Sequence, residues 1–235
     1  MARVGIIAAM FREVHPLVRN MQPLKYLPDR RLQIYQNTNA MVAYAGMGRT
    51  AAVMATRALL STGEISSLVS VGWAGGLNPS AVAGKVVRPA TVIDSVSGKQ
   101  YSAGGSGGTL VTVQLVAGLE EKRRLGEQYR GDYVDMEAAA VAECAEEANV
   151  PFHCFKAISD AHDARLPDMN EFSRNGQFSA WRFIAHIAVR PGLWRVVSDM
   201  SKASLDSRDA LCKHLENWIA ERASADLKRE TSKIG

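Results

Sequence analysis

Short apolar runs, each bounded by glycine, proline or polar residues, recur along the chain and predict β-strands. Helical patterns lie between them, and several of the runs are almost continuously apolar, which is typical of strands covered on both faces. The strands are predicted at residues 4–9, 32–36, 41–45, 68–72, 86–93, 110–115 and 152–158, and the helices at 11–21, 50–62, 119–129 and 136–148. This alternation predicts an α/β fold around a largely parallel sheet.

The character of the chain changes after residue 160. Residues 171 to about 223 have a helical pattern that is broken at Pro191-Gly192, and residues 225–235 form a polar tail that we expect to fray. Glycines are so frequent in residues 102–108 that a flexible loop is predicted there. Residues 1–190 are therefore expected to form the main domain, and residues 191–235 a C-terminal helical extension.

Composition narrows the class of protein. The 235 residues carry 28 basic and 24 acidic side chains, a net charge of +4 that is spread along the chain and does not indicate a nucleic-acid binder. Three cysteines without a CxxC pair favour reduced thiols. The apolar N-terminal run is too short for a signal peptide, and no run has the length of a membrane span. We expect a cytoplasmic protein.

Candidate chemistry lies where strands end, because ligands of α/β sheets usually bind at the carboxyl ends of strands. The segment Gly46-Met47-Gly48-Arg49-Thr50-Ala51 matches GxGxxG/A between a strand and a helix. The ribose-binding acid of a dinucleotide site is missing from the next strand end, so a tight turn or an anion site is favoured over a nicotinamide cofactor. The other strand-end segments are Met10-Phe11-Arg12-Glu13, Gly72-Trp73-Ala74-Gly75-Gly76, Ser159-Asp160 and the acidic Asp135-Met136-Glu137.

In this order, these segments resemble the motifs of methylthioadenosine/S-adenosylhomocysteine nucleosidases, in the nucleoside phosphorylase and nucleosidase superfamily. The segments that carry the resemblance are 5–13, 46–48, 72–77, 134–138 and 157–160. Residues 111–118, Glu121-Lys122 and Arg190-Pro191-Gly192 look like one branch, the hopanoid-associated phosphorylases. The resemblance implies a three-layer sandwich with a mixed, largely parallel sheet flanked by helices. It also implies cleavage of the N-glycosidic bond of an adenine nucleoside.

The resemblance also implies roles. Asp160 matches the acid at purine N7, Glu137 the residue that binds the ribose hydroxyls, and Glu13 the base that positions the nucleophile. The structural alternatives are a helix cap for Asp160, a dipole-favoured first-turn residue for Glu137, and an exposed helix residue for Glu13. The remaining expected site residues are Met136 under the ribose, Leu115, Val116 and Ser159 at the base, Gly48, Arg49, Trp73 and Ala74 at the nucleophile or phosphate, and Met10 and Met47 on the 5′ side.

Two departures from the family stand out. Trp73 occupies a position where many members carry a small residue, and residues 84–110 form a much shorter segment than in the family nucleosidases. The short segment predicts an open 5′ side that suits a bulky apolar substituent. The resemblance to the hopanoid-associated branch implies adenosylhopane as the leading substrate, with methylthioadenosine or S-adenosylhomocysteine as the alternative.

The nucleophile is left open between water and phosphate, with Arg12, Arg49 and Arg88 as candidate phosphate ligands. We expect no metal and no redox cofactor, and inorganic phosphate only as a co-substrate. A non-catalytic nucleoside-binding module and a dinucleotide-binding oxidoreductase remain alternatives. A homodimer is also left open, as is contact with a membrane surface through the helical stripe Arg182, His186 and Arg190.

Overall fold

The computed structural model describes residues 3–25, 27, 29–164, 173–174, 177–178 and 194–231, and it describes the side chains of the last helix over residues 205–224. One mixed sheet of eleven strands forms its centre, and helices pack on both faces. The strands are β1 (Arg3–Ala8), β2 (Gln22–Pro23), β3 (Gln33–Gln36), β4 (Ala40–Tyr44), β5 (Ile65–Gly76), β6 (Val86–Val87), β7 (Thr91–Asp94), β8 (Gln100–Ser102), β9 (Thr109–Thr112), β10 (Tyr133–Asp135) and β11 (Phe152–Asp160), with a separate pair β12 (Ser173–Arg174) and β13 (Gln177–Phe178). The helices are α1 (Phe11–Val18), α2 (Arg49–Leu60), α3 (Leu119–Tyr129), α4 (Ala138–Glu147) and α5 (Trp194–Thr231).

The long strand β5 organises the sheet. Its first half pairs in parallel with β1, its other edge pairs in parallel with β11, and its end pairs antiparallel with β10 at Gly75 and Gly76. The carboxyl ends of β1, β5 and β11 therefore point the same way, and the end of β5 lies against β10. This junction holds most of the side chains predicted for the site.

Successive side chains of a strand point to opposite faces of the sheet, so the strands contribute to two cores, one on each face. Ile6 and Ala8 of β1 pack on the face covered by α1 and α5, whereas Ile7 packs on the opposite face under α2 and α4. Both faces of the central strands are thus buried, which explains their nearly continuous apolar sequence. The predicted three-layer sandwich is confirmed.

Most predicted strands and helices are present, and their bounds differ where the hydrophobic pattern of the sequence was weakest. The predicted strand 86–93 divides into β6 and β7 around Pro89, which has no N–H to donate to a ladder. The strand predicted at 110–115 ends at Thr112, and the three-residue β10 was missed because it is too short to show a period.

The region after residue 160 departs further from expectation. Residues 173–174 and 177–178 form an antiparallel pair, so the prediction of helix from residue 171 is wrong there. Helix α5 continues to Thr231, beyond the end predicted near residue 223. The predicted basic stripe Arg182, His186 and Arg190 lies outside the described residues. Within the described ranges, no helix combines the length and the apolar character needed to cross a membrane.

Helix α5 is part of the main core. Leu211, Cys212, Leu215 and Ile219 pack in the same cluster as the apolar face of α1 and strands β1, β4 and β5. The boundary predicted at residue 190 stays a prediction, since the chain on both sides of it is outside the described residues.

The glycine-rich segment is more ordered than predicted, because its backbone packs closely on two neighbours. The N–H of Ala103 donates to the carbonyl of Ala90 at 2.9 Å, and the N–H of Cys154 donates to the carbonyl of Ala103 at 3.2 Å. A Cβ at Gly105 would lie only 2.1 Å from the carbonyl oxygen of Arg88. Glycine is used here for close backbone approach.

We expect Gly105→Ala to destabilise the protein by about 1–3 kcal/mol, the usual cost of overpacking, because rigid backbone surrounds the added methyl group. Gly107→Ala is the matched control: its nearest atom would be 3.7 Å away, so a change within about 1 kcal/mol is expected. Urea unfolding of both variants measures the difference. Equal stabilities would mean that the segment does not pack as described.

Candidate functional site

Glu13 is buried in the first turn of α1 and accepts hydrogen bonds from three backbone N–H groups. Its Oε2 accepts from Ala9 at 2.9 Å and from Met10 at 2.8 Å, and its Oε1 accepts from Trp73 at 3.3 Å. Burial raises the pKa of Glu13 above its ordinary value, although these N–H groups and Lys156 oppose the shift. The alternative of an exposed helix residue is therefore wrong.

Gly72 makes the position of Glu13 possible. It has a φ of +138°, which side chains of L residues rarely adopt, and a Cβ there would lie 2.7 Å from Oε1 of Glu13. The carboxylate thus lies directly on the backbone of β5. A motif glycine and a motif glutamate that are 59 positions apart form one structural unit.

Glu137 caps the start of α4, and its carboxylate faces the glycine turn before α2. The N–H of Gly48 donates to Oε1 of Glu137 at 2.7 Å. The anion bound at this helix N-terminus is therefore the chain's own carboxylate. Burial and then the nearby Asp135 raise the pKa of Glu137 to about 7.

Lys156 was not predicted as a site residue, yet it is the cation at the centre of this group. Its Nζ lies 2.8 Å from Oδ2 of Asp135, with 1% and 0% of the two side chains exposed, and it donates to Oγ of Ser70 at 3.2 Å. Burial by itself lowers the pKa of a lysine, but Asp135 outweighs it and the pKa of Lys156 is raised. Its charge also acts on Glu13 and Glu137.

Asp135 links the start of α4 to β9 as well as to Lys156. Its Oδ2 accepts from the N–H of Ala138 at 2.9 Å, and its Oδ1 accepts from Oγ1 of Thr112 at 2.7 Å. Together with Lys156, these contacts join β9, β10, β11 and α4.

Asp160 ends β11 and is buried with a second unpredicted lysine. Lys122 of α3 forms an ion pair with Oδ2 of Asp160, and Oγ of Ser159 donates to Oδ1. The same hydroxyl lies 3.2 Å from the carbonyl oxygen of Ala74. Ser159 and Ala74 are therefore in contact with the predicted acid.

Trp73 contributes its backbone to the site and its ring to the core. The N–H binds Glu13, while the indole packs with the cluster under α1, and the guanidinium of Arg12 lies 4.9 Å from its ring centre. Among the described residues, Nε1 of Trp73 has no hydrogen-bond partner. The indole thus lies beside the predicted nucleophile position.

The predicted phosphate ligands Arg49 and Arg88 are engaged elsewhere. The guanidinium of Arg49 binds Asp94 at 3.1 Å and also pairs with Glu143. Arg88 donates to the carbonyl of Gly104 at 3.1 Å and stacks on Phe155. A phosphate role for either stays a prediction that these pairings disfavour.

The remaining predicted residues surround this group less closely. Met10 caps α1 beside Glu13, and Met47 lies in the turn before Gly48. Met136 precedes Glu137 and packs at the edge of a core cluster. Leu115 is 66% exposed between β9 and α3, and Val116 is partly buried, so their base-binding role stays a prediction.

The structure thus brings together Glu13, Glu137, Trp73 and Gly48 around Lys156, and Ser159, Ala74 and Asp160 around Lys122. The sequence signal for Lys156 was a lysine inside an otherwise apolar strand. Lys122 has no comparable signal, because it lies in a helix with several other charged residues and the sequence does not show which of them is buried. Among the described residues, no group of three or more His, Cys, Asp or Glu side chains could hold a metal ion.

We expect Lys156→Met to cost about 3–5 kcal/mol of stability, since it leaves the carboxylate of Asp135 buried without its cation. Adding Asp135→Asn should restore part of this loss, because the second change removes the unpaired charge. Lys99→Met, at the exposed pair with Glu146, is the control and should leave stability nearly unchanged. Denaturant unfolding of the four proteins measures this, and a double variant no more stable than Lys156→Met would contradict the argument.

Comparison with known proteins identifies the family of the chain. The sequence model of the phosphorylase superfamily matches residues 3–117 and 105–186. A methylthioadenosine/S-adenosylhomocysteine nucleosidase of Glaesserella parasuis is 28% identical over 200 residues, covering 68% of this chain and 86% of that protein.

Two solved structures show a similar fold. The methylthioadenosine/S-adenosylhomocysteine nucleosidase of Helicobacter pylori, in complex with a substituted pyrrolidin-3-ol, has a TM-score of 0.70 at 16% identity, covering 94% of this chain and 98% of that one. The native futalosine hydrolase of Helicobacter pylori has a TM-score of 0.69 at 16% identity, again covering 94% and 98%. With the family match extending over more than half of its residues, the chain belongs to the phosphorylase superfamily.

Proposed function

We propose that this protein hydrolyses the N-glycosidic bond of a purine nucleoside, releasing the free base. The observation that carries the proposal is the grouping of Glu13, Glu137 and Asp160 around the end of β5 in a member of the phosphorylase superfamily. Each carboxylate has its own place in the chemistry. The relatives whose names describe nucleosidases support the same assignment.

Breaking the bond leaves positive charge on the sugar and negative charge on the base. Asp160, with Ser159, would bind N7 of the leaving purine, and Glu137 would accept hydrogen bonds from the ribose diol, which strengthen as the sugar becomes cationic. Glu13 would orient the attacking water and take its proton. Glu13 packs on Gly72 and Asp160 on Gly75, positions about 10 Å apart along the strand.

Water is favoured over phosphate by the charge balance around Glu13. Three carboxylates, those of Glu13, Asp135 and Glu137, share the single ammonium of Lys156. This group is neutral to negative overall and would repel a phosphate dianion, whereas a neutral water suffers no such cost. The engagement of Arg49 and Arg88 supports the same choice. Arg12, whose guanidinium lies 4.9 Å from the ring centre of Trp73, is the remaining candidate phosphate ligand.

The ionisation of Glu137 fits a ribose ligand. With a pKa of about 7, its charged form increases as the pH rises through neutrality. A ribose diol would supply two donors where the unliganded protein supplies the N–H of Gly48. Binding of the sugar would then stabilise the charged form.

The experiment is product analysis with adenosine, inosine and methylthioadenosine, each with and without phosphate. We expect free base and free ribose or its 5′ derivative, at a rate that phosphate does not increase. Asp160→Asn is the control and should lose about 10²–10⁴ in kcat, the usual effect of removing a general acid. Ribosyl 1-phosphate as the product would replace hydrolysis by phosphorolysis, and an inactive protein would favour a binding module.

For the substrate we propose an adenine nucleoside with an apolar 5′ group. Phe11 follows Met10 at the end of β1, is 42% exposed, and lies 5.9 Å and 6.5 Å from the ring centres of Tyr44 and Tyr35. Tyr44 ends the strand that leads to Gly48, whose N–H binds Glu137. This aromatic group therefore lies at the same end of the sheet as Glu137.

Two 5′ groups are candidates. The names of relatives favour methylthioadenosine or S-adenosylhomocysteine. The exposed aromatic surface and the short segment 84–110 favour a larger chain, as in the adenosylhopane of hopanoid biosynthesis, because burial of apolar surface contributes about 25 cal/mol per Å².

We expect a higher kcat/KM for adenosine with a long apolar 5′ chain than for methylthioadenosine. The two compete in detergent micelles, and their sugar products are quantified separately. Phe11→Ser should reduce the preference for the long chain without changing the rate on adenosine. A clear preference for methylthioadenosine in the wild type would assign the small 5′ group instead.

A further inference from the structure

The ion pair of Lys122 and Asp160 bears on how the leaving base obtains its proton. Both oxygens of Asp160 accept hydrogen bonds, Oδ2 from Nζ of Lys122 and Oδ1 from Oγ of Ser159. A carboxyl that accepts at both oxygens carries no proton that it could donate. In this arrangement, the mobile proton is on the lysine.

Lys122 is held tightly enough for a defined role. Only 2% of its side chain is exposed, its Nζ also donates to the carbonyl of Ala161 at 2.8 Å, and a Cβ at Gly75 would lie 3.3 Å from its Cε. The neighbouring charges on α3 and after β11 are occupied, since Glu121 pairs with Arg124 and His162 lies 3.9 Å from Asp163. An exposed salt bridge would need neither this burial nor the glycine.

We propose that Lys122 stores the proton that the departing purine receives through Asp160. This inference rests on the proposed hydrolysis. As the C1′–N9 bond breaks, its electron pair moves into the purine ring. Nζ of Lys122 passes a proton to the ionised Asp160 and becomes a neutral amine, Asp160 passes a proton on to N7, and the water that bonds to C1′ gives its proton to Glu13. Exchange with solvent after product release returns a proton from Glu13 to Lys122.

Lys122 is a positioning residue in this scheme because it acts only through Asp160. The role predicts a dependence on the leaving group. Adenine must be protonated to leave, whereas 4-nitrophenolate leaves as a stable anion and needs no acid. An ion pair that only orients Asp160 would also spare the nitrophenyl riboside, but it would tolerate an arginine, which keeps the charge, whereas storage of a proton would not.

The test compares methylthioadenosine with 4-nitrophenyl β-D-ribofuranoside in wild type, Lys122→Arg and Lys122→Met. Arginine keeps the charge but cannot release its proton at ordinary pH, and methionine keeps the length without the charge. We expect kcat for methylthioadenosine to fall about 10²-fold or more in both variants, and kcat for the nitrophenyl riboside to change less than about threefold. Lys99→Arg, at the exposed pair with Glu146, is the control and should change neither rate.

The outcomes separate the two proposals. Equal losses on both substrates, or normal methylthioadenosine cleavage by Lys122→Arg, would overturn the role of Lys122 and leave the hydrolysis intact. If arginine does not fit the buried position and the variant unfolds, the folded Lys122→Met protein must still show the difference between leaving groups. A wild type that cleaves no purine nucleoside would remove the proposed function and this inference with it.

Discussion

The buried ion pair of Lys156 and Asp135 is the interaction on which the rest of the site depends. It joins β11 to β10 next to the end of β5, and Asp135 also holds the first turn of α4 and Thr112 of β9. Taking both charges out of water is costly, so the pair is tolerable only with these additional hydrogen bonds. The pair thereby fixes where the end of β10 and the start of α4 meet the sheet.

A single cation among three carboxylates also sets the electrostatics. Burial raises the pKa values of Glu13 and Glu137, and Lys156, whose charge is paired with Asp135, opposes these shifts only in part. Asp160 is not part of this competition, because it has Lys122. The two lysines divide the junction into one half around Glu13 and Glu137 and another around Asp160. In the proposed reaction, the first half would face the sugar and the second the base.

Backbone proximity gives the glycines of this chain different roles. The motif glycines Gly72 and Gly75 each have a carboxylate against their backbone. Gly105 was interpreted as part of a flexible loop, yet its backbone packs against the backbone at Arg88. Composition reveals that a Cβ is missing, but whether the space is empty or filled depends on what the fold brings beside it.

The sequence by itself determined the α/β class, the order of most strands and helices, and the strand ends that carry Glu13, Glu137 and Asp160, because apolar period and motif spacing are local properties. Only the tertiary structure decided the partners. It paired Lys122 with Asp160 and Lys156 with Asp135, engaged Arg49 with Asp94, and left Leu115 exposed. The paired residues are 21 to 45 positions apart in the sequence. A buried charge pairs with the partner that the packed elements bring within hydrogen-bond distance, and a local sequence pattern does not contain that information.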